Sequence, residues 1–314
     1  MGRFLLRRLG FLLVTMLFTS LLIFLITQAL PGDVARILLG REASQHALQQ
    51  LRVQLGLDRP LPLQYLHWLG DFVKGDWGTS FSTGQSVRAL VLQRLGNSLQ
   101  LAGVTLVIAV PTAVALGVIA ALYEESWIDT LISLASLSVV GLPEFITGLV
   151  LIQVFSFSLG WLPANSSIAP GASFFQALPY LVLPALTATL VLLAYVARLT
   201  RASMLVELRR PYVRTAILKG VRWRRVVVAH VLRNALLPTI TIVAISFGWL
   251  ISGLIVVENV FNYPGLGRLL TFAIARRDIP LLQAVALVAV LGFALANLVA
   301  DILYAAFNPR ITLR

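Results

Sequence analysis

Five stretches of this chain, 9–32, 95–123, 145–197, 234–257 and 279–300, run for more than twenty residues without an Asp, Glu, Lys or Arg. A helix needs about 20 mostly apolar residues to cross the hydrocarbon core of a bilayer. The composition agrees: 58% of residues are hydrophobic and 12% charged, where soluble domains carry about 25% charged. Mean hydropathy is +0.88. Backbone polar groups in lipid must be satisfied within the segment, so the expected class is an all-α integral membrane protein.

The run 145–197 is too long for one crossing. It contains GWLPANSSIAPGAS (160–173), a polar, turn-rich stretch that must leave the bilayer. Two helices therefore come from that run. The reading is six spans near 9–30, 98–122, 131–159, 179–199, 234–257 and 281–306. The third carries Gly141, Pro143 and Glu144. Proline either kinks a continuous helix or opens a second one at its first turn, and the sequence allows both.

Basic residues set the orientation. Arg3, Arg7 and Arg8 precede the first span. Arg201, Arg209, Arg210, Arg214, Lys219, Arg222, Arg224, Arg225 and Arg233 lie between the fourth and fifth, with Arg198 at the edge, and Arg310 and Arg314 close the tail. This side holds fifteen of the 25 basic residues; the other holds ten, seven of them in one long loop where the rule has little force. Both termini are expected in the cytoplasm. One loop resists: 123–129 belongs inside, yet it carries Glu124, Glu125 and Asp129 and nothing basic. The net charge of +12 is read against lipid, and no nucleic-acid partner is expected. The first apolar run exceeds the 7–15 residues of a signal-peptide core, and no small-residue cleavage site precedes LPGD, so it is read as an anchor.

The expected organisation is a cytoplasmic N-terminus and first span at 1–30, an extracytoplasmic segment at 31–97, and a five-helix core at 98–314. In the outer segment Ser44 is placed to cap a helix with Ala47, Leu48, Leu51 and Leu55 on one face and Gly56 at its end. A second stripe, Leu63, Leu66, Leu69, Phe72 and Val73, ends at Gly75. A small cap packed on the bundle is the plainer reading; a surface for an extracytoplasmic partner is the functional one.

The cytoplasmic loop 200–233 is the most informative. Pro211 opens a helical stretch in which Val213, Ala216, Ile217 and Gly220 share a face, surrounded by Arg214, Lys219, Arg222, Arg224 and Arg225. Small residues there let another protein approach closely, and the arginines suit acidic groups or lipid headgroups. A merely topogenic basic segment is the alternative. The chain has only two lysines, Lys74 and Lys219, and neither follows a glycine, so it holds no phosphate-binding G-x-x-x-x-G-K-[ST] loop.

RTAxxxG (214–220) followed by RNALLP (233–238) resembles the coupling motif of binding-protein-dependent ABC importer permeases, whose general form is E-A-A-x-x-x-G. Arg214 and Thr215 stand at its first two positions, and Ala216 and Gly220 match. The proline that ordinarily follows the glycine by thirteen residues is Arg233 here and moves to Pro238, the form of the peptide and nickel branch. LPGDVA (30–35), LGLDRPLPLQYLHWL (55–69), GDWGTSF (75–81), LGWLP (159–163), LVLPALT (181–187), ARLTRASML (197–205), VENVFNYPGLGRLL (257–270), RDIPLLQ (277–283) and NPRI (308–311) resemble the same branch and its first permease subunit.

The resemblance implies a type I (MetI-like) permease fold in a bacterial inner membrane. It implies a second, homologous permease, two ATPase subunits carrying ATP and Mg, an extracytoplasmic solute-binding protein and surrounding lipid. This chain would be a transport subunit, with no catalytic residue or cofactor of its own. Arg214, Thr215, Ala216, Lys219, Gly220 and Arg222 would couple it to the ATPases. The cargo would be a di- or oligopeptide or a similar small solute, with nickel or a metallophore as the alternative. An ion-coupled carrier would want buried mid-membrane charges and an inverted repeat; only Glu144 offers the former.

Glu144 either lines the path and attracts a cationic group or sits in a helix first turn, stabilised by the dipole. Asp301, near the inner end of the sixth span, either takes a local partner such as Arg310 or a helix-packing hydrogen bond, or serves the substrate. In VENVFNYPGLGRLL, the residues Glu258, Asn259, Phe261, Pro264 and Gly265 form either an outer gate or a structural turn whose polar side chains bond free helix ends. His46, His67 and His230 are far apart, without a metal or nucleophile motif, and the chain has no cysteine. Trp127, Trp161 and Trp249 read as interface anchors.

Overall fold

A computed structural model of the chain describes residues 2–29, 39, 43–54, 56, 58–168, 171 and 173–307. LPGDVA (30–35), Leu55, the side chain of Leu51, Arg310 and NPRI lie outside the described residues. The described residues form α1 (Gly2–Ala29), α2 (Gln45–Gln54), α3 (Leu61–Lys74), α4 (Val87–Leu122), α5 (Trp127–Gly141), α6 (Glu144–Leu151), α7 (Phe174–Leu208), α8 (Pro211–Leu218), α9 (Leu232–Gly253), α10 (Ile255–Val260), α11 (Leu266–Arg276) and α12 (Ile279–Phe307). Wider π-helical turns continue α6 through Ile152–Ser158 and lead into α9 over Val226–Val231.

Five segments are long and apolar enough to span a membrane: Leu6–Ala29, Val87–Leu122, Phe174–Leu208, Trp223–Ile251 and Ile279–Ile302. The sixth candidate is a bent pair, Trp127–Gly141 and Glu144–Ser158, meeting at 107°. The choice left open at Pro143 is settled in favour of two pieces. Proline's ring keeps the preceding residue out of the helical region, and Leu142 is extended (φ −89°, ψ 132°). Pro143 itself is extended (φ −57°, ψ 137°) and precedes the first helical residue, Glu144. Two successive extended residues turn the chain.

The chain forms two compact units. One holds 96–268 with 292 onward; the other holds the chain up to 95 with 269–291. In the first, α7 is the central post. Leu181, Ala185, Ala188, Thr189, Ala194 and Ala197 are among its buried side chains, and α5, α6 and α9 pack around it. Small residues let helix backbones come close where lipid offers no hydrophobic drive. Gly117 of α4 shows this: a Cβ there would lie 2.5 Å from the Ala197 carbonyl oxygen and 2.7 Å from Thr200 Cβ. Thr200 and Thr239 share a hydrogen bond of 3.2 Å between α7 and α9.

In the second unit, Ser44 Oγ accepts from the Ala47 N–H at 3.2 Å and Leu48 is buried, at the expected start of α2. The stripe expected to bury α3 does not do so: Leu63, Leu66 and Val73 are exposed. Aromatic side chains fix α3 instead. Phe24 of α1 meets Tyr65 and Trp68, and Trp68 meets Phe72. Phe72 stacks on Trp77 with centroids 4.7 Å apart. The Tyr65 hydroxyl hydrogen-bonds Ser20 Oγ at 2.9 Å. Rings with a polar tip add a hydrogen bond and a specific stacking geometry to their buried area. Asp278 is wholly buried before α12. It accepts from Ser80 Oγ at 2.6 Å and the Ser82 N–H at 2.9 Å, and caps the Leu281 N–H at 3.3 Å. Gln283 donates to Thr27 Oγ1 at 2.7 Å, joining α12 to α1.

Candidate coupling surface and outer turn

The loop between α7 and α9 is compact. Arg210 is extended, Pro211 takes the first helical position, and α8 runs to Leu218. Proline suits that position because its missing N–H would be unpaired anyway. The helix ends in a two-bond left-handed cap. The Gly220 N–H reaches the Ile217 carbonyl at 2.9 Å and the Val221 N–H reaches that of Ala216 at 3.2 Å. Gly220 has φ +75°, and a Cβ there would meet nothing within 4 Å. Its glycine is required by backbone angle, not by crowding.

The expected small-residue face divides in two. Val213 and Ala216 turn inward and pack with Met204, Val226, Val231 and Ala235. This chain covers Val213 fully and Ala216 in part. Ile217 is 49% exposed and Leu218 79% exposed, while Arg214, Thr215, Lys219 and Arg222 are exposed beside them. Leu218 lay outside the periodic stripe, so spacing alone gave no hint of it; Trp223, 51% exposed, extends the patch. Among the described residues, no acid lies within ion-pair distance of Arg214, Lys219, Arg222, Arg224 or Arg225. Thr215 Oγ1 is tied back to the Pro211 carbonyl at 3.1 Å. Tyr212 donates to Glu207 Oε2 at 2.8 Å and accepts from Asn234, and burial holds its phenol above the ordinary value. The result is a firmly seated helix presenting an apolar tip in a basic collar.

The resistant loop 123–129 has its explanation here. Asp129 takes both arms of Arg201, Nε and Nη2, at 2.6 Å each. Glu124 pairs with Arg209 at 2.7 Å. Its acids lie on the arginine-rich face because they neutralise it. Neither pairing was predicted, since residues 72 and 85 positions apart carry no periodic signal.

At the other candidate site, Glu258 is 1% exposed. Its carboxylate accepts from Ser98 Oγ at 2.6 Å and from the Arg268 N–H at 3.0 Å, while Ser98 Oγ accepts from the Leu266 N–H at 2.8 Å. Both N–H groups belong to the first turn of α11, where helical donors lack partners. Gly265 is crowded: a Cβ there would collide with the Glu258 carboxylate. Phe261 is fully buried, with its ring against Gly148 of α6. Asn97 donates to the Pro264 carbonyl and Tyr263 donates back to that of Asn97, both at 2.7 Å. Asn262 holds Asn165 and Ser167 of the 160–168 loop. Asn259 bonds the Ile255 carbonyl of its own helix. This segment is a packed, hydrogen-bonded turn.

Glu144 occupies the first turn of α6, half buried, and among the described residues its Oε1 has no hydrogen-bond partner; neither has Thr147 Oγ1 one turn on. Asp301 is half buried in α12. Trp127 and Trp161 are largely exposed at the two ends of the bent pair, and Trp249 is partly exposed in α9.

Comparison with known proteins gives these surfaces a context. Residues 113–313 match the family of binding-protein-dependent transport system inner membrane components, and residues 1–102 match the N-terminal membrane component of such systems. The chain belongs to the binding-protein-dependent inner-membrane permeases. It is 42% identical over 311 residues to the glutathione transport system permease protein GsiC of Escherichia coli strain K12, covering 99% of both chains. The same figures hold for the GsiC protein of Shigella dysenteriae serotype 1. The helical fold with its five long apolar helices and bent pair is therefore that of a transport permease. The match extends through α8, its basic collar and the turn at Glu258.

Proposed function

We propose that this chain is one permease of a heterodimeric ATP-driven importer, that α8 is its docking helix for an ATPase subunit, and that its cargo is a small peptide. The observation that carries the docking role is the exposure of Ile217 and Leu218 on a helix whose opposite face is locked by Val213. An apolar tip held in place by its own chain transmits force without reorganising. A collar of Arg214, Lys219, Arg222, Arg224 and Arg225 favours an acidic groove. ATP and Mg belong to two partner subunits, and the second permease completes the translocation path. Closure of the ATPases moves α8, and the membrane helices rock between inward-open and outward-open arrangements. A solute-binding protein delivers cargo outside, and both termini face the cytoplasm.

The name of the relatives favours the peptide side over nickel, with glutathione the first cargo to try. Glu144, whose Oε1 has no partner among the described residues, is the residue proposed to face that path and meet the cargo's ammonium group.

The test is co-purification followed by uptake. The intact chain should bring down two ATPase subunits and drive ATP-dependent uptake of tritiated glutathione in proteoliposomes with its binding protein. Leu218→Asp should abolish ATPase capture while the permease pair persists. Full capture by that variant would contradict the assignment of α8.

A further inference from the structure

The coupling loop is held to the membrane helices by more than its own chain ends. Asp129, in the first turn of α5, has a side chain only 7% exposed. Its carboxylate accepts four donors. Arg201 Nε (2.6 Å) and Ser133 Oγ (3.3 Å) reach Oδ1, while Arg201 Nη2 (2.6 Å) and the Glu125 N–H (3.1 Å) reach Oδ2. A planar guanidinium gripping both oxygens of a carboxylate fixes direction as well as distance. A lysine at that position would give a point contact about which α5 could swivel.

The neighbours of this pair leave it no slack. Arg201 lies in the last turns of α7, whose backbone there is pressed against α4: a Cβ on Gly117 would lie 3.1 Å from the Arg201 nitrogen. Eight residues further on, Arg209 takes Glu124 from the same α4–α5 loop, and Pro211 begins α8. The end of α4, the start of α5 and the end of α7 thus form one clamped block, and α8 is seated on it through Val213 and Met204. The far end of α5 is different. It stops at Leu142–Pro143, the 107° bend. Beyond that bend lie Glu144, Thr147 and Gly148, the last against Phe261. A displacement of α8 therefore reaches α5 through the clamp and can be expressed as rotation at the bend.

We propose that Asp129 and Arg201 are a positioning pair that makes α5 follow the coupling helix, so that ATPase movement reaches the bent α5–α6 pair. The proposal rests on the permease reading given above. It assigns no contact with cargo or nucleotide to either residue.

The test uses the whole importer, reconstituted with its ATPases and binding protein. Asp129→Asn keeps the shape and removes the charge; Arg201→Lys keeps the charge and removes the fork. Three quantities are read: ATP hydrolysis, uptake of tritiated glutathione per ATP, and the distance between spin labels on Leu134→Cys in α5 and Val206→Cys in α7. The native chain has no cysteine to interfere. With the pair intact, the label distance should stay the same between the resting complex and the complex trapped with Mg-ATP and vanadate. In Asp129→Asn the trapped complex should show a second distance. Uptake per ATP should fall about tenfold while hydrolysis stays within about twofold, with a smaller loss in Arg201→Lys.

Unchanged uptake per ATP in both variants would overturn the proposal. So would a parallel fall of hydrolysis and uptake with an unaltered distance, the signature of a merely structural pair. If Asp129→Asn complexes do not assemble, Arg201→Lys decides by the same criteria. Absence of ATP-driven glutathione uptake in the native complex would instead overturn the importer and cargo reading on which this rests.

Discussion

Glu258 and Gly265 illustrate how a conspicuous motif is held by buried contacts within its own chain. A buried carboxylate is tolerable only when its lone pairs are satisfied, and Glu258 has Ser98 and the Arg268 N–H for this purpose. Glu258→Ala should remove the buried acceptor of Ser98 Oγ and the Arg268 N–H and cost about 1–3 kcal/mol, read as a lower melting temperature of the purified permease pair. Gly265→Ala should destabilise through collision with that carboxylate. Gly220 is the opposite case: Gly220→Ala meets no neighbour but must hold a positive φ, at a cost of about 1 kcal/mol, and loss of ATPase coupling should exceed loss of stability. Gly220→Leu adds bulk beside the docking tip and should uncouple hydrolysis from uptake. Single positions of this kind were only partly legible. The glycine and the acid were visible as unusual residues, but Ser98 and Arg268, which give Glu258 its role, lie 160 positions before it and 10 after it.

At the level of elements, periodicity located helices and missed their joints. The charge-free runs placed the spans because lipid excludes charge, yet α4 begins at Val87, well before the run that announced it. Arg88 and Arg94 interrupt the apolar pattern there without interrupting the helix. The face of α8 was half right for a related reason. A 3–4 spacing shows which residues share a side but not whether that side meets the same chain or another, and Val213 turned inward while Leu218 stayed outside. The bend at Leu142–Pro143 was signalled by proline but not decided by it. Pro143→Ala restores helical freedom to Leu142 and a donor to the backbone. It should straighten the α5–α6 junction, seen as a longer distance between labels at Leu134→Cys and Phe157→Cys, and reduce uptake at least severalfold. An unchanged distance would show that packing, not proline, sets the angle.

For the whole molecule, the account depends on which face carries the arginine-rich loop. The acids of 123–129 looked misplaced by charge counting and are explained by Arg201 and Arg209, which puts that loop and the coupling loop on one side. In intact cells, Leu218→Cys and Thr130→Cys should be shielded from a membrane-impermeant maleimide, while Thr83→Cys should react. The most direct measurement is a photo-crosslinking side chain at position 218 in the assembled, reconstituted complex. One dominant adduct should form, joining this chain to an ATPase subunit, with a yield that changes on addition of Mg-ATP. An adduct with lipid or the binding protein alone, or none with an ATPase, would contradict it.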